Sequence, residues 1–309
     1  LSTYVGLDVG GTFLKGALVT SEGEVLTRLH QPIARESAEA LLGQLASATA
    51  QLEGRAGPAA GVGIGLPGIV NCRTGQLYRT PNLPAIDGID AAAELSQRTG
   101  RRAVAENDAN AAALAEAWKG AGRDALNVLA VTLGTGIGGG IVLLGRIWPG
   151  SSGYAGEIGH IQVDPGGVPC GCGSRGCVET FAGAPHWARR AREALALARH
   201  SRLQGQSLDP AVIVEAARAG DEVALGVVDG AARALGTGIG AALNLMNLDR
   251  VVIAGGVAAA GPFLLERIVE HTRQRVFPHV FADCSFRAAE LGGDAGVVGA
   301  ARAAMVALA

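Results

Sequence analysis

Three cysteines and a histidine crowd one short stretch of this 309-residue chain, as His160 followed by Cys170-x-Cys172-x4-Cys177. Thiolate and imidazole are the ligands zinc prefers, and one His with three Cys completes a closed tetrahedral site. Glycines at 159, 166, 167, 171, 173 and 176 let the intervening backbone turn tightly enough to bring the four together. The chain's five cysteines cannot all pair, and Cys170 and Cys172 stand too close for a comfortable mutual bridge, so a disulfide framework is disfavoured. Two acids, Glu157 and Glu179, bracket the cluster. By pattern alone each is open between a reacting acid and a solvated or outer-sphere group.

Five further stretches could do chemistry. Asp8-Val9-Gly10-Gly11-Thr12 follows a short apolar strand; paired glycines and a hydroxyl suit a phosphate, and the acid before them could orient its Mg2+. An ordinary hairpin turn reads the same way. Gly134-Thr135-Gly136, within the glycine run to Gly140, repeats the design after a second apolar strand. Gly134, Gly136 and Gly139 also satisfy G-x-G-x-x-G, but that fingerprint must open a helix and an Ile-Val-Leu-Leu strand follows instead. No P-loop occurs. Glu106-Asn107-Asp108-Ala109-Asn110 joins a strand to a helix, where Asp108 is open between an N-cap and a ligand-facing base. Gly255-Gly256 ends another apolar strand, which suits either close approach to a ligand or tight strand–helix packing. Asn82, between Pro81 and Pro84, could recognise a hydroxyl or brace its own turn.

The elements that must position these groups alternate between strand and helix. Strands are expected at 3–7, 13–19, 25–29, 60–66, 102–105, 127–133, 141–144, 251–254 and 285–289. Helices are expected at 37–52, 90–98, 111–118, 184–198, 210–219, 222–246 and 262–274, with a terminal helix to Leu308. Strand, glycine-threonine turn and hairpin recur at 3–29 and 127–148, an internal duplication of architecture. A chain this long exceeds one core, so an α/β protein of two lobes is expected. Hydrophobic residues make up 49% and charged residues 17%, and the formal net charge is -2, which supplies no footprint for nucleic acid or an acidic membrane. No apolar run spans a bilayer and no signal peptide is visible, so a cytoplasmic, reducing setting is expected.

Together, residues 8–12, 107–108, 134–140, 153–179, 255–256 and 291–296 resemble the ROK family of bacterial sugar kinases. That resemblance implies the two-lobed actin/hexokinase-like fold, a duplicated ribonuclease H-like design with its active site in the interlobe cleft. The small lobe would hold 1–119 and the returning helix 297–309, and the large lobe 120–296 with the zinc loop. It implies that Asp8, Gly10, Gly11, Thr12 and Lys15 with Gly134, Thr135 and Gly136 hold the ATP phosphates and Mg2+, and that Gly255 and Gly256 lie on the adenosine side. Gly68, Asn82, Asn107, Asp108, Glu157, His160 and Glu179 would hold the sugar, with Asp108 as catalytic base. His160, Cys170, Cys172 and Cys177 would bind a structural zinc. Asn71 and Gly293 stand where the family often has Asp. The implied reaction is phosphoryl transfer from Mg-ATP to a hexose 6-hydroxyl, glucose first among the candidates. N-acetylmannosamine, N-acetylglucosamine, mannose and allose, or polyphosphate as donor, are alternatives. A sugar-sensing ROK protein is the non-enzymatic alternative, but the first strand begins at about Thr3 and no DNA-binding domain is expected ahead of it. The family suggests a homodimer or homotetramer.

Overall fold

A computed structural model describes all residues except Arg79, Pro81 and Asn82, with Ala258 and Ala259 described by backbone alone. In chain order the elements are β1 (Thr3–Val9), β2 (Phe13–Thr20), β3 (Val25–Pro32), α1 (Ala38–Ala56), β4 (Gly61–Leu66), β5 (Ile69–Val70) and β6 (Leu77–Tyr78). Next come α2 (Ala91–Thr99), β7 (Ala103–Asn107), α3 (Asp108–Lys119), β8 (Asn127–Leu133), β9 (Ile137–Leu143) and β10 (Arg146–Ile147). After these follow α4 (Glu179–Ala182), α5 (Ala184–Leu195), α6 (Pro210–Arg218), α7 (Glu222–Met246), β11 (Arg250–Ala254), α8 (Pro262–Arg273), α9 (Pro278–Asp283), β12 (Ser285–Ala288) and α10 (Ala295–Leu308).

Two five-stranded sheets share one plan. Their orders are β3-β2-β1-β4-β7 and β10-β9-β8-β11-β12, so the duplication expected from the two glycine-turn repeats is present in the strand order itself. By contacts the chain forms two units. One comprises 1–126, 140–156 and 290–309; the other comprises 127–139 and 157–289. By this clustering the segment 140–156, which includes the end of β9, groups with the first unit.

In the first unit β1 runs antiparallel to β2 and parallel to β4, which is parallel to β7. Every residue of β4 is buried, as expected for a parallel strand covered on both faces. Helix α1 covers one face with Leu41, Leu42, Leu45 and Leu52, and Ser37 caps it by accepting from Ala40 N at 3.1 Å. Helix α10 returns to the other face at very short range. A Cβ on Gly6 would lie 1.9 Å from Val297 O, and one on Gly63 would lie 1.7 Å from Ala300 O. On its far side, a Cβ on Gly299 would lie 1.7 Å from Ala111 O in α3. Backbone-to-backbone packing of this kind admits no side chain.

In the second unit β8, β11 and β12 are parallel. The 25-residue α7 packs against α4, α5, α6 and α8. Asp221 caps it by accepting from Ala224 N at 2.9 Å, and Asn247, at φ 48°, ends it in the left-handed conformation. No helix among the described residues is long and apolar enough to cross a membrane.

Candidate active site

The first unit holds a carboxylate-bearing turn and a strand-to-helix junction. Asp8 sits at the end of β1 in register with Lys15 of β2, and Gly10 N closes the turn onto Phe13 O at 3.0 Å. Burial raises the Asp8 carboxyl above its ordinary range, with Lys15 pulling the other way. The first turn of α10 lies over this carboxylate, since a Cβ on Gly296 would come within 2.5 Å of it. Lys15 Nζ donates to Gly293 O at 3.3 Å. Thr12 is exposed at the tip.

At the junction, β7 extends to Asn107 and α3 begins at Asp108, three residues earlier than its apolar periodicity suggests. The cap is Asn107, not Asp108. Asn107 Oδ1 accepts from Ala109 N at 2.9 Å and Asn110 N at 3.0 Å, while its Nδ2 donates to Gly68 O at 2.7 Å. Gly68 adopts φ 97°, which presents that carbonyl. Asp108, exposed on the first turn, accepts from Ala109 N at 2.8 Å. The preceding Glu106, which the pattern did not single out, is half-buried and accepts from Asn107 N and Asn110 Nδ2, both at 2.9 Å. Burial raises its carboxyl, and these two bonds oppose that. Its place directly before Asn107-Asp108 was the available signal. Asn82 lies outside the described residues.

The second unit holds the other glycine turn and the thiol cluster. Gly134 N donates to Gly136 O at 3.0 Å, and Ala184 N donates to Gly134 O at 3.0 Å. Glu179 Oε2 accepts from Ile137 N at 3.0 Å, immediately after Gly136. The glycine pair ending β11 divides its labour. Gly255, at φ 95°, packs so closely that a Cβ would stand 2.3 Å from Leu133 O, whereas the same atom on Gly256 would meet nothing within 4 Å among the described residues.

The metal-type side chains converge. The ligand atoms of His160, Cys170, Cys172 and Cys177 all lie within 4.8 Å of one another. His160 Nδ1 is 3.5 Å from Cys170 Sγ, and Cys172 Sγ is 3.8 Å from Cys177 Sγ. A tetrahedral ion with metal–sulfur bonds near 2.3 Å needs ligand separations of about 3.7 Å, so the donor set fits zinc. All five cysteines are free thiols. Burial, reinforced by the two neighbouring thiols, pushes Cys177 up to about 12. Backbone bonds shape the loop: Cys170 N donates to Ser174 O at 2.8 Å and Gly173 N to Cys170 O at 3.0 Å. Gly176, at φ 59°, passes so near Asp164 O that a Cβ would lie 1.7 Å away. His160 Nε2 points to Glu157 Oε2 at 3.7 Å, leaving Nδ1 for the cluster.

Comparison with known proteins follows this geometry. The ROK family model matches residues 4–306. The chain belongs to the ROK family. It is 42% identical to the glucokinase of Halalkalibacterium halodurans over 307 residues, covering 96% of this chain and 93% of that one. Among solved structures it is similar to the ROK hexokinase from Thermus thermophilus, with a TM-score of 0.88, 34% identity and 99% of both chains covered. It is also similar to a ROK glucokinase from Streptomyces griseus in complex with glucose and AMPPNP. That match has a TM-score of 0.82 and 33% identity, and covers 99% of this chain and 100% of the other. Other ROK relatives are N-acetyl-D-glucosamine and N-acetylmannosamine kinases. The mixed α/β architecture read from the sequence is thus that of the ROK hexokinases.

Proposed function

We propose that this ROK protein is a sugar kinase that transfers the γ-phosphoryl group of ATP to the 6-hydroxyl of glucose. The observation that carries the reading is Asp108, an exposed carboxylate at the start of α3, where the helix cap is Asn107. The glucokinase relatives support ATP and glucose as the substrates.

Phosphoryl transfer passes through a loose transition state, so alignment and charge neutralisation supply most of the catalysis and a modest base suffices. Asp108 accepts the proton of the attacking hydroxyl. Glu157, Glu179 and the outer nitrogen of His160 hold sugar hydroxyls, and Asn107 has one amide hydrogen left after bonding Gly68. The turns at Gly10-Gly11-Thr12 and Gly134-Thr135-Gly136 hold the phosphates, Lys15 adds positive charge and Asp8 orients the metal that accompanies ATP. Gly256, where a Cβ would meet nothing within 4 Å among the described residues, faces the adenosine, while Gly255 is the packing residue of that pair. When bound, Mg2+ neutralises phosphate charge and zinc, held by His160, Cys170, Cys172 and Cys177, staples the loop that carries the sugar contacts.

The deciding experiment is ADP release with Mg-ATP against a panel of hexoses and N-acetylhexosamines. Glucose well above the rest supports the reading, and an N-acetylhexosamine ahead moves the protein to that kinase group. Sugar binding with neither ADP release from Mg-ATP nor sugar phosphate formed from polyphosphate indicates a sensor.

A further inference from the structure

The phosphate turn of the second unit is built onto the thiol cluster. Ile137, the residue that closes the turn, is gripped at both ends of its backbone. Its N–H donates to Glu179 Oε2 at 3.0 Å. Its carbonyl lies against Gly159, where a Cβ would come within 2.1 Å of the oxygen. Both gripping residues belong to the cluster: Gly159 precedes His160, and Glu179 follows Cys177 by two residues while its Oε1 lies 4.0 Å from Cys170 Sγ. The same carboxylate walls the turn from the side, since a Cβ on Gly136 would stand 2.6 Å from Glu179 Oε2. A third fastening is Ala184 N on Gly134 O at 3.0 Å, from the start of α5 directly after α4. The loop between these points is rich in glycine and polar residues, so without a metal little apolar packing holds it in place.

We propose that Glu179 is a positioning residue that couples occupancy of the thiol cluster to nucleotide binding: a metal bound there fixes the Gly134–Ile137 turn, and a bound nucleotide in turn tightens the metal. The inference rests on the reading of Gly134-Thr135-Gly136 as a phosphate turn. Coupling between two sites is reciprocal, so each ligand must raise the affinity of the other by the same factor.

The test measures zinc affinity by competition with a chromogenic chelator under reducing conditions, with and without saturating Mg-ADP and with no sugar present. Wild type, Glu179→Ala, Glu179→Gln and Thr135→Val are compared. Mg-ADP is expected to tighten zinc by about fivefold or more in the wild type and by less than about twofold in Glu179→Ala. Glu179→Gln, whose amide oxygen still accepts from Ile137 N–H, is expected to keep most of the effect. Should Glu179→Ala not fold, Gly136→Ala replaces it, because the added carbon pushes the same carboxylate away. If calorimetry shows Mg-ADP bound while zinc affinity stays unchanged in the wild type, or rises equally in Glu179→Ala, the coupling is overturned and the phosphate turn stands. If the zinc-loaded wild type binds no Mg-ADP, or Thr135→Val binds it as well as wild type, the phosphate reading falls and the coupling with it.

Discussion

Asp108 and Asn107 are neighbours with different work, and substitution separates them. Asp108→Asn is expected to lower kcat by roughly a thousandfold while sugar binding, read by calorimetry, changes little, because a general base contributes about that much to proton transfer. Retention of a substantial rate assigns the base elsewhere. Gly255 and Gly256 offer a second contrast. Gly255→Ala combines φ 95° with an atom 2.3 Å from Leu133 O, so it is expected to cost roughly 1–3 kcal/mol of stability. Gly256→Ala meets no atom of the described residues within 4 Å and is expected to leave the melting temperature alone while raising the KM for ATP. Equal melting temperatures for the two variants would remove the distinction. At this scale the sequence was most informative about the thiol cluster, where residue type and spacing specify the chemistry. It was silent on what Glu179 bonds, because Ile137 lies 42 residues away and no local pattern announces that pairing.

Among the elements, α7 depends on one side chain at its start. Asp221 accepts from Ala224 N at 2.9 Å, Arg202 N at 2.6 Å and Ser201 Oγ at 3.0 Å. Burial works to raise its carboxyl, but the bonds from Ala224 N, Arg202 N and Ser201 prevail and hold it below the ordinary range. A depressed carboxylate stabilises the fold above the unfolded-state value near 4, and that contribution is lost as pH falls through the lower folded value. Asp221→Ala is therefore expected to cost about 1–3 kcal/mol at neutral pH, with the difference from wild type shrinking below about pH 4 in urea titrations. A pH-independent difference would contradict this account. The periodicity of apolar residues located most helices and the parallel strands. It missed α4, α9 and the β5–β6 pair, which are too short to show a period, and it began α3 late because Asp108-Ala109-Asn110 carries no apolar stripe.

For the molecule as a whole, metal and architecture make separate demands. Stripping zinc with a chelator under reducing conditions is expected to lower the melting temperature and to speed proteolysis within 161–177, which Cys170 and Cys177 anchor as buried residues. An unchanged melting curve would mean the loop holds its shape unaided. The duplicated plan of the sheets was legible because the same strand, glycine turn and hairpin occur twice in order.

The close seating of α10 on β1 and β4 also has a consequence in time. On the ribosome, the strands that await this helix emerge early, but the helix itself follows roughly 230 residues after the end of β4, about 10–45 s at ordinary elongation rates. Through that interval Gly6 and Gly63 mark a bare groove on the nascent sheet, flanked by strand residues destined for burial. Synthesis of this chain therefore includes a period of exposure to aggregation and to chaperone capture, and it ends only when the partner helix arrives.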